Sequence, residues 1–469
     1  MQKNTVHVWH IYILIGAVAL MCRLISMWYF PEPHQFDGYQ RWAGREHLYV
    51  QVWLPATQLW VWLIAKLGGN LLALRLFFSL LASVTIVLAT RLGIELFSVQ
   101  SEASEDKPST TDISLSYLPW AFLPFACLGP YIVWSTVPYQ ESTFLFFWLL
   151  GLLLYRNHPR WSDVCIGALA LVRYEGWPLV LIHIMLGVRL RKDNRVLLSL
   201  WGVVLWLGIR YFGLLEPYMA SPDSFSDWKD LHMNLRFWKI KHLLFNLWVM
   251  FDSAAADWWI FFSVFAVGYW RKNKDHFDAI QTSVMWMIIF AFLGQMAALA
   301  GWVLSLGVAF SRMVVLPTLL LSPFSAMGIC VLFGKIQRRC QKPLTRKVMY
   351  GIFGLFLFAL TGWSLRDARL DLTKMNKLNQ GEREIAHIMA QCSGDIWGMY
   401  PRQHQGPRSR HDGCEVIQGI TMLRAGEDFN CLQWGWGGPS PTLIATWNDK
   451  KKQYDISRIA GTKQGDCPY

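Results

Sequence analysis

Charge is scarce in this chain, and acidic charge is scarcer still. Asp, Glu, Lys and Arg make up 16% of the 469 residues, against roughly 25% in soluble domains. That deficit excludes a water-soluble globular protein of ordinary composition. The 32 acidic residues are outnumbered by 44 Lys and Arg, leaving a net charge of +12. No 20–50-residue repeat is present, so a solenoid is set aside. The tail cysteines lack C-x2-C spacing, which argues against a structural zinc site. The first apolar run ends in Met27-Trp28-Tyr29-Phe30 rather than in a small-residue cleavage site, so it is expected to remain as an anchor.

Apolar sequence is abundant instead. Segments suited to the membrane fall at about 11–30, 72–97, 116–135, 142–156, 162–174, 176–188, 196–215, 246–270, 279–300, 313–334 and 347–365. Several reach the roughly 20 residues that span a bilayer. The segments at 142–156, 162–174 and 176–188 are short. Those flanking Arg173-Tyr174-Glu175 are expected to be broken or re-entrant, because charge at membrane depth must line protein or water. The expectation is an all-α polytopic membrane protein of about eleven transmembrane segments over residues 1–365, followed by a small extracytoplasmic domain over 366–469.

Basic loops set the orientation. Arg189, Arg191, Lys192 and Arg195 form one cluster, Arg271, Lys272 and Lys274 a second, and Lys335, Arg338, Arg339, Lys342, Arg346 and Lys347 a third. Cationic loops resist translocation, so these belong in the cytoplasm. Counting crossings from them places the N-terminus inside and the C-terminus outside, across a bacterial inner membrane or an endoplasmic reticulum membrane. These loops also account for much of the positive charge, so no nucleic-acid partner is implied.

The cysteines agree with this orientation. Cys22, Cys127, Cys165, Cys330 and Cys340 lie in or beside spans, where a thiol is usually packing filler. Cys392, Cys414, Cys431 and Cys467 fall in the polar tail. Four cysteines there suit two disulfides in an oxidising compartment, with connectivity left open. The tail is expected to begin as an amphipathic helix to about Gln391, with Cys414 and Cys431 in a β region farther on.

Two outside loops and one inside loop stand out. In the first, Pro31 to Leu71, a polar and aromatic part precedes an apolar, Trp-rich part from Val50 to Leu67 that is interrupted by Pro55. Trp53, Trp60 and Trp62 suit a helix lying at the membrane surface, ended by Gly68-Gly69. The polar loop at 98–115 reads as a flexible cytoplasmic connector. The loop at 216–245 mixes charge with aromatics, which suits headgroups, a polar substrate or an interfacial helix.

Four places put ionisable side chains at the outer ends of spans: Asp37, Tyr139-Gln140-Glu141, Arg173 with Glu175, and Arg312. Such groups are costly near hydrocarbon unless they pair or face water, so their convergence points to a polar cavity opening outward. Glycosyl transfer from a lipid-phosphate donor fits that arrangement. A carboxylate can take the proton of an acceptor hydroxyl, and an arginine can neutralise the departing phosphate. Each residue also has a plainer reading. Asp37 suits a turn before Gly38, Glu141 a helix-dipole acid, Arg173 and Glu175 a structural pair, and Arg312 a snorkelling cation.

Three passages carry a resemblance to a known family. The first is Phe36-Asp37-Gly38-Tyr39, followed by Leu54-Pro55-Ala56-Thr57-Gln58-Leu59 and by Leu67-Gly68-Gly69-Asn70 through Leu74-Arg75. The second is Ala168-Leu169-Ala170-Leu171-Val172-Arg173-Tyr174-Glu175-Gly176-Trp177-Pro178-Leu179. The third is Phe310-Ser311-Arg312-Met313-Val314-Val315-Leu316-Pro317. In this order the passages resemble the GT-C superfamily of lipid-linked-sugar glycosyltransferases, and most of all its protein O-mannosyltransferase and aminoarabinose transferase branch. The likeness covers roughly residues 10–335 and leaves the tail without a counterpart.

The resemblance implies the GT-C fold and a lipid-linked sugar donor with a glycan, lipid or protein acceptor. Asp37 would be the base that activates the acceptor and Glu141 the second acidic position. Arg312 would bind the donor phosphate, while Arg173, Glu175 and Tyr139 shape the donor site. Where many members carry an acidic pair this loop has Asp37 alone, and Met313 replaces the family's tyrosine. These departures weaken the ground for a divalent metal, and no cofactor is expected. The alternative reading is a secondary transporter or lipid flippase, which would carry inverted repeats and midplane sites.

Overall fold

The structure is a computed structural model, and it describes residues 5–29, 41–42, 44–48, 54–97, 117–191, 194–215, 256–306, 315–339, 348–366 and 369. In the tail it describes 396–399, 443–448 and 453–458. Among the described residues up to Arg366 the regular structure is helical. The helices are α1 (Thr5–Tyr29), α2 (Pro55–Lys66), α3 (Leu71–Phe97), α4 (Leu123–Ala126), α5 (Gly129–Trp134), α6 (Gln140–Asn157) and α7 (Pro159–Ala168). They continue as α8 (Gly176–Leu186), α9 (Trp201–Phe212), α10 (Ala256–Lys272), α11 (Ala279–Leu306), α12 (Val315–Leu320), α13 (Ser322–Arg339) and α14 (Val348–Arg366).

Helix occurs within each of the eleven apolar segments of the sequence. Among the described residues, five stretches are long and apolar enough to cross a membrane: Trp9–Tyr29, Leu71–Phe97, Arg195–Phe212, Ala279–Ala300 and Val348–Arg366. The chain is therefore a multi-pass, largely helical membrane protein. Gly176–Arg189 and Ser322–Ile336 are shorter apolar helices. The segment at 116–135 is broken into a 3-10 turn and two short helices, because Pro119, Pro124 and Pro130 each remove a backbone donor.

Local chemistry explains several boundaries. Pro55 does not interrupt its helix but starts it, since the first helical position needs no N–H partner. Gly68, at φ 77°, provides the left-handed residue just beyond the end of α2. Asn70 Oδ1 then accepts the Ala73 N–H at 3.0 Å and caps α3. Asp278 and Gln281 form a reciprocal capping box before α11, with Gln281 N–H donating to Asp278 Oδ1 at 2.7 Å and Asp278 N–H to Gln281 Oε1 at 3.1 Å.

One continuous core runs through α1, α3, α5, α6, α10, α11 and α13. Helices α10 and α13 pack most extensively. Gly328 meets the Phe262 backbone with no room for a Cβ, and Ser325 Oγ donates to the Trp259 carbonyl at 2.6 Å. Gly167 and Gly202 play the same part where α7 meets α9, a use of small residues typical of helices packed in membranes. In the tail, β1 (Ile396–Met399), β2 (Leu443–Asn448) and β3 (Gln453–Arg458) form a sheet in the order β1-β2-β3. The first pair is parallel and the second antiparallel. Cys392, Cys414, Cys431 and Cys467, and the amphipathic helix expected to about Gln391, lie outside the described residues.

Candidate active site

The bundle has two chemically distinct ends. One gathers the C-terminus of α1, the N-terminus of α3, the 135–139 turn, the start of α6 and the Arg173–Glu175 turn before α8. This is called the Glu141 end here. The Glu141 end is where sequence reasoning expected a polar site, and three of its residues meet. Arg173 Nε and Nη2 donate to the two oxygens of Glu175 at 3.2 and 2.8 Å, and Nη1 donates to Glu141 Oε1 at 2.9 Å. One guanidinium thus bridges carboxylates from the starts of two helices. The fork on Glu175 is the bidentate geometry that only arginine offers.

The three side chains differ in exposure. Glu141 is 6% exposed, whereas Arg173 and Glu175 are 19% and 18% exposed. The cluster is therefore buried on the α6 side and about one-fifth exposed at Arg173 and Glu175. Its formal charge, two carboxylates against one guanidinium, is −1. Glu175 sits in the turn between helices; burial pushes its carboxyl up, and Arg173 more than offsets that, holding it below the usual range. Glu141 lies in the first turn of α6, after Tyr139 in an extended conformation at the N-cap. The helix dipole adds to the stabilisation of its charge there.

Tyr139 is buried, and its ring meets Trp134 edge-on at 5.7 Å. Two further arginines hold the turn that leads to it. Arg23 Nε donates to Ser135 Oγ at 2.8 Å, and Arg75 Nε to the Thr136 carbonyl at 3.2 Å. Both arginines are fully buried. Arg23 also donates to the Ala19 carbonyl at 2.7 Å and lies 4.7 Å over the Tyr131 ring. Its Nη2 has no hydrogen bond among the described residues. The Ser135–Glu141 segment is thus gripped by arginines from α1, from α3 and from the turn after α7.

Sequence reasoning missed Arg23 and used Arg75 only as part of a resemblance. The signal was present for Arg23, the one Lys or Arg in its apolar span, since such residues face protein or polar cavities by default. It also missed a second cluster at the opposite end of α6–α8. There His183 Nε2 and Asp163 Oδ1 are 2.7 Å apart, both side chains almost fully buried, with the Tyr155 ring 5.6 Å away. Asp37 and Arg312 lie outside the described residues. Among the described residues, no three His, Cys, Asp or Glu side chains gather as a metal site would require. No protein-family model matches the chain, and no curated protein matches it.

Proposed function

We propose that the chain is a membrane glycosyltransferase of the GT-C type, moving one hexose-type sugar from a polyprenyl- or dolichyl-phosphate carrier to an extracytoplasmic or lumenal acceptor. The observation that supports this reading most is the partly exposed Glu141–Arg173–Glu175 cluster. A charged network is expensive in an apolar bundle, and one left accessible at a single end suits chemistry more than packing. In this reading all eleven segments cross or enter the membrane, and the Glu141 end faces away from the cytoplasm.

The roles follow from chemistry. Asp37, in the first loop on that side, accepts the proton of the acceptor hydroxyl as its oxygen attacks the anomeric carbon. Arg312 neutralises the departing lipid phosphate. The Arg173 guanidinium is engaged by two carboxylates, so its part is to fix Glu141 and Glu175 beside the sugar, with Tyr139 bordering the same turn. Direct displacement inverts the anomeric carbon. The partners are the lipid-linked donor, the surrounding lipids and a glycan, lipid or protein acceptor. The reaction as written uses no cofactor.

The test is transfer of radiolabelled sugar from a panel of polyprenyl- and dolichyl-phosphate sugars, with purified wild type and Asp37→Asn. Turnover or slow donor hydrolysis in wild type alone is the expected result. If every donor is inert and neither protein binds one, the transferase reading fails and a transporter or flippase takes its place.

A further inference from the structure

Two thiols within the apolar bundle touch. Cys22 lies on α1, immediately before Arg23, and Cys127 lies in the bend between α4 and α5. Their sulfurs are 3.7 Å apart although 105 positions separate them in sequence. Cys127 is buried, while Cys22 is partly exposed. The same seam is held by bonds that do not involve sulfur. Arg23 Nε donates to Ser135 Oγ, and the Arg23 guanidinium covers the Tyr131 ring, both on the segment that follows Cys127. The backbone framework therefore presents the two thiols to each other whether or not they react. Proximity fixed in this way makes a second-order coupling effectively unimolecular.

We propose that Cys22 and Cys127 are an oxidisable pair that forms a disulfide between α1 and the bend before α5, with a peroxide as the oxidant. In the first step the thiolate of Cys22 attacks one peroxide oxygen. The O–O bond breaks, one water leaves after protonation, and Cys22 becomes a sulfenic acid. In the second step the Cys127 sulfur attacks the sulfenic sulfur, a second water leaves, and the S–S bond forms. Two S–H bonds are lost, and the two electrons end on the oxygens of the peroxide. Closing to the bonded separation of about 2.05 Å requires a modest approach of two neighbouring side chains. The product is a staple across the seam where Arg23 grips Ser135, so oxidation restrains the turn that leads to Tyr139 and Glu141.

The experiment uses the full chain in detergent, treated with hydrogen peroxide, then unfolded in denaturant with N-ethylmaleimide present to block every free thiol, and digested without reductant for mass spectrometry. The expected result is a linked pair of peptides carrying Cys22 and Cys127, two hydrogens lighter than their sum and separated by a thiol reductant. Cys22→Ser should abolish the link and leave Cys127 labelled by maleimide, whereas Cys165→Ser should leave the link intact. Wild type should also melt at a higher temperature after oxidation, and Cys22→Ser should not. Maleimide on both Cys22 and Cys127 after peroxide would overturn the proposal, as would either thiol linked instead to a different cysteine.

Discussion

Helices α6, α7 and α8 carry ionisable side chains toward both ends, and the two ends are built differently. At one end Glu141, Arg173 and Glu175 form a network with nearly a fifth of Arg173 and Glu175 open. Toward the other, Asp163 and His183 meet at 2.7 Å with almost nothing exposed. Glu141 and Tyr155 mark these ends on one helix, roughly 21 Å apart at 1.5 Å per residue. A sealed pair can hold helices together but cannot meet a ligand. An open cluster holds them less tightly and can. The same three helices thus carry a clasp and a candidate site, and accessibility separates the two.

The contrast can be broken by substitution at each end. The largest effect is expected at Asp37, the proposed base on the side of the open cluster. Asp37→Asn should lower transfer by at least about 100-fold, the scale of a lost general base, with the thermal melt of the purified protein unchanged. Next is Asp163→Ala. Leaving His183 buried without its carboxylate should cost about 3 kcal/mol of stability, read as a lower melting temperature in detergent, while transfer per folded molecule stays near wild type. If Asp163→Ala removed activity without destabilising the protein, the clasp reading would be wrong.

Arg173→Lys sharpens the comparison further. Lysine keeps the charge but cannot fork onto Glu175 while reaching Glu141. A loss of roughly tenfold in transfer is expected, together with a lower melting temperature, since losing a charged hydrogen bond costs about 1.5–3 kcal/mol. Because Glu175 is held below its ordinary range, the stability it lends is present above the unfolded carboxylate value of about 4.3. That stability is lost as the pH falls through the lower folded value, and Arg173→Lys should shift this acid limb upward in a pH–melting profile.

The smallest effect is expected where two charges meet in the open. Lys66 and Glu46 pair with half of each side chain exposed. The Lys66 hydrogen bond lowers the Glu46 carboxyl from its ordinary value. Solvent screens such pairs, so Lys66→Ala should leave the melting temperature unchanged within error at neutral pH. A marked drop would show that the first loop is clamped to α2 through this pair.

The apolar segments and the helix-start positions of Glu141 and Glu175 were legible in the sequence because both rest on local pattern. Long apolar runs fix helices, and Glu141 and Glu175 each stand at a helix start. Partner choice was not legible. Arg173 reaches Glu141 across 32 positions, and Arg23 reaches Ser135 across 112. Nothing in a linear pattern fixes which buried cation meets which turn. His183 and Asp163 were hidden for the same reason, 20 positions apart on two helices. Pro55 was read as an interruption because proline breaks helix interiors, whereas here it takes the one position where its missing donor costs nothing. The segments at 142–156, 162–174 and 176–188 read as short because the helices there are broken at His158 and at the turn through Arg173–Glu175.

The most direct test compares the two ends in a single assay: transfer from a polyprenyl-phosphate sugar, normalised to folded protein, for Glu141→Gln and Asp163→Asn side by side. Glu141→Gln should be folded and nearly inactive, while Asp163→Asn should be less stable and active in its folded fraction. The opposite pattern, with Glu141→Gln active and Asp163→Asn folded but dead, would move the chemistry to the sealed end and contradict the account.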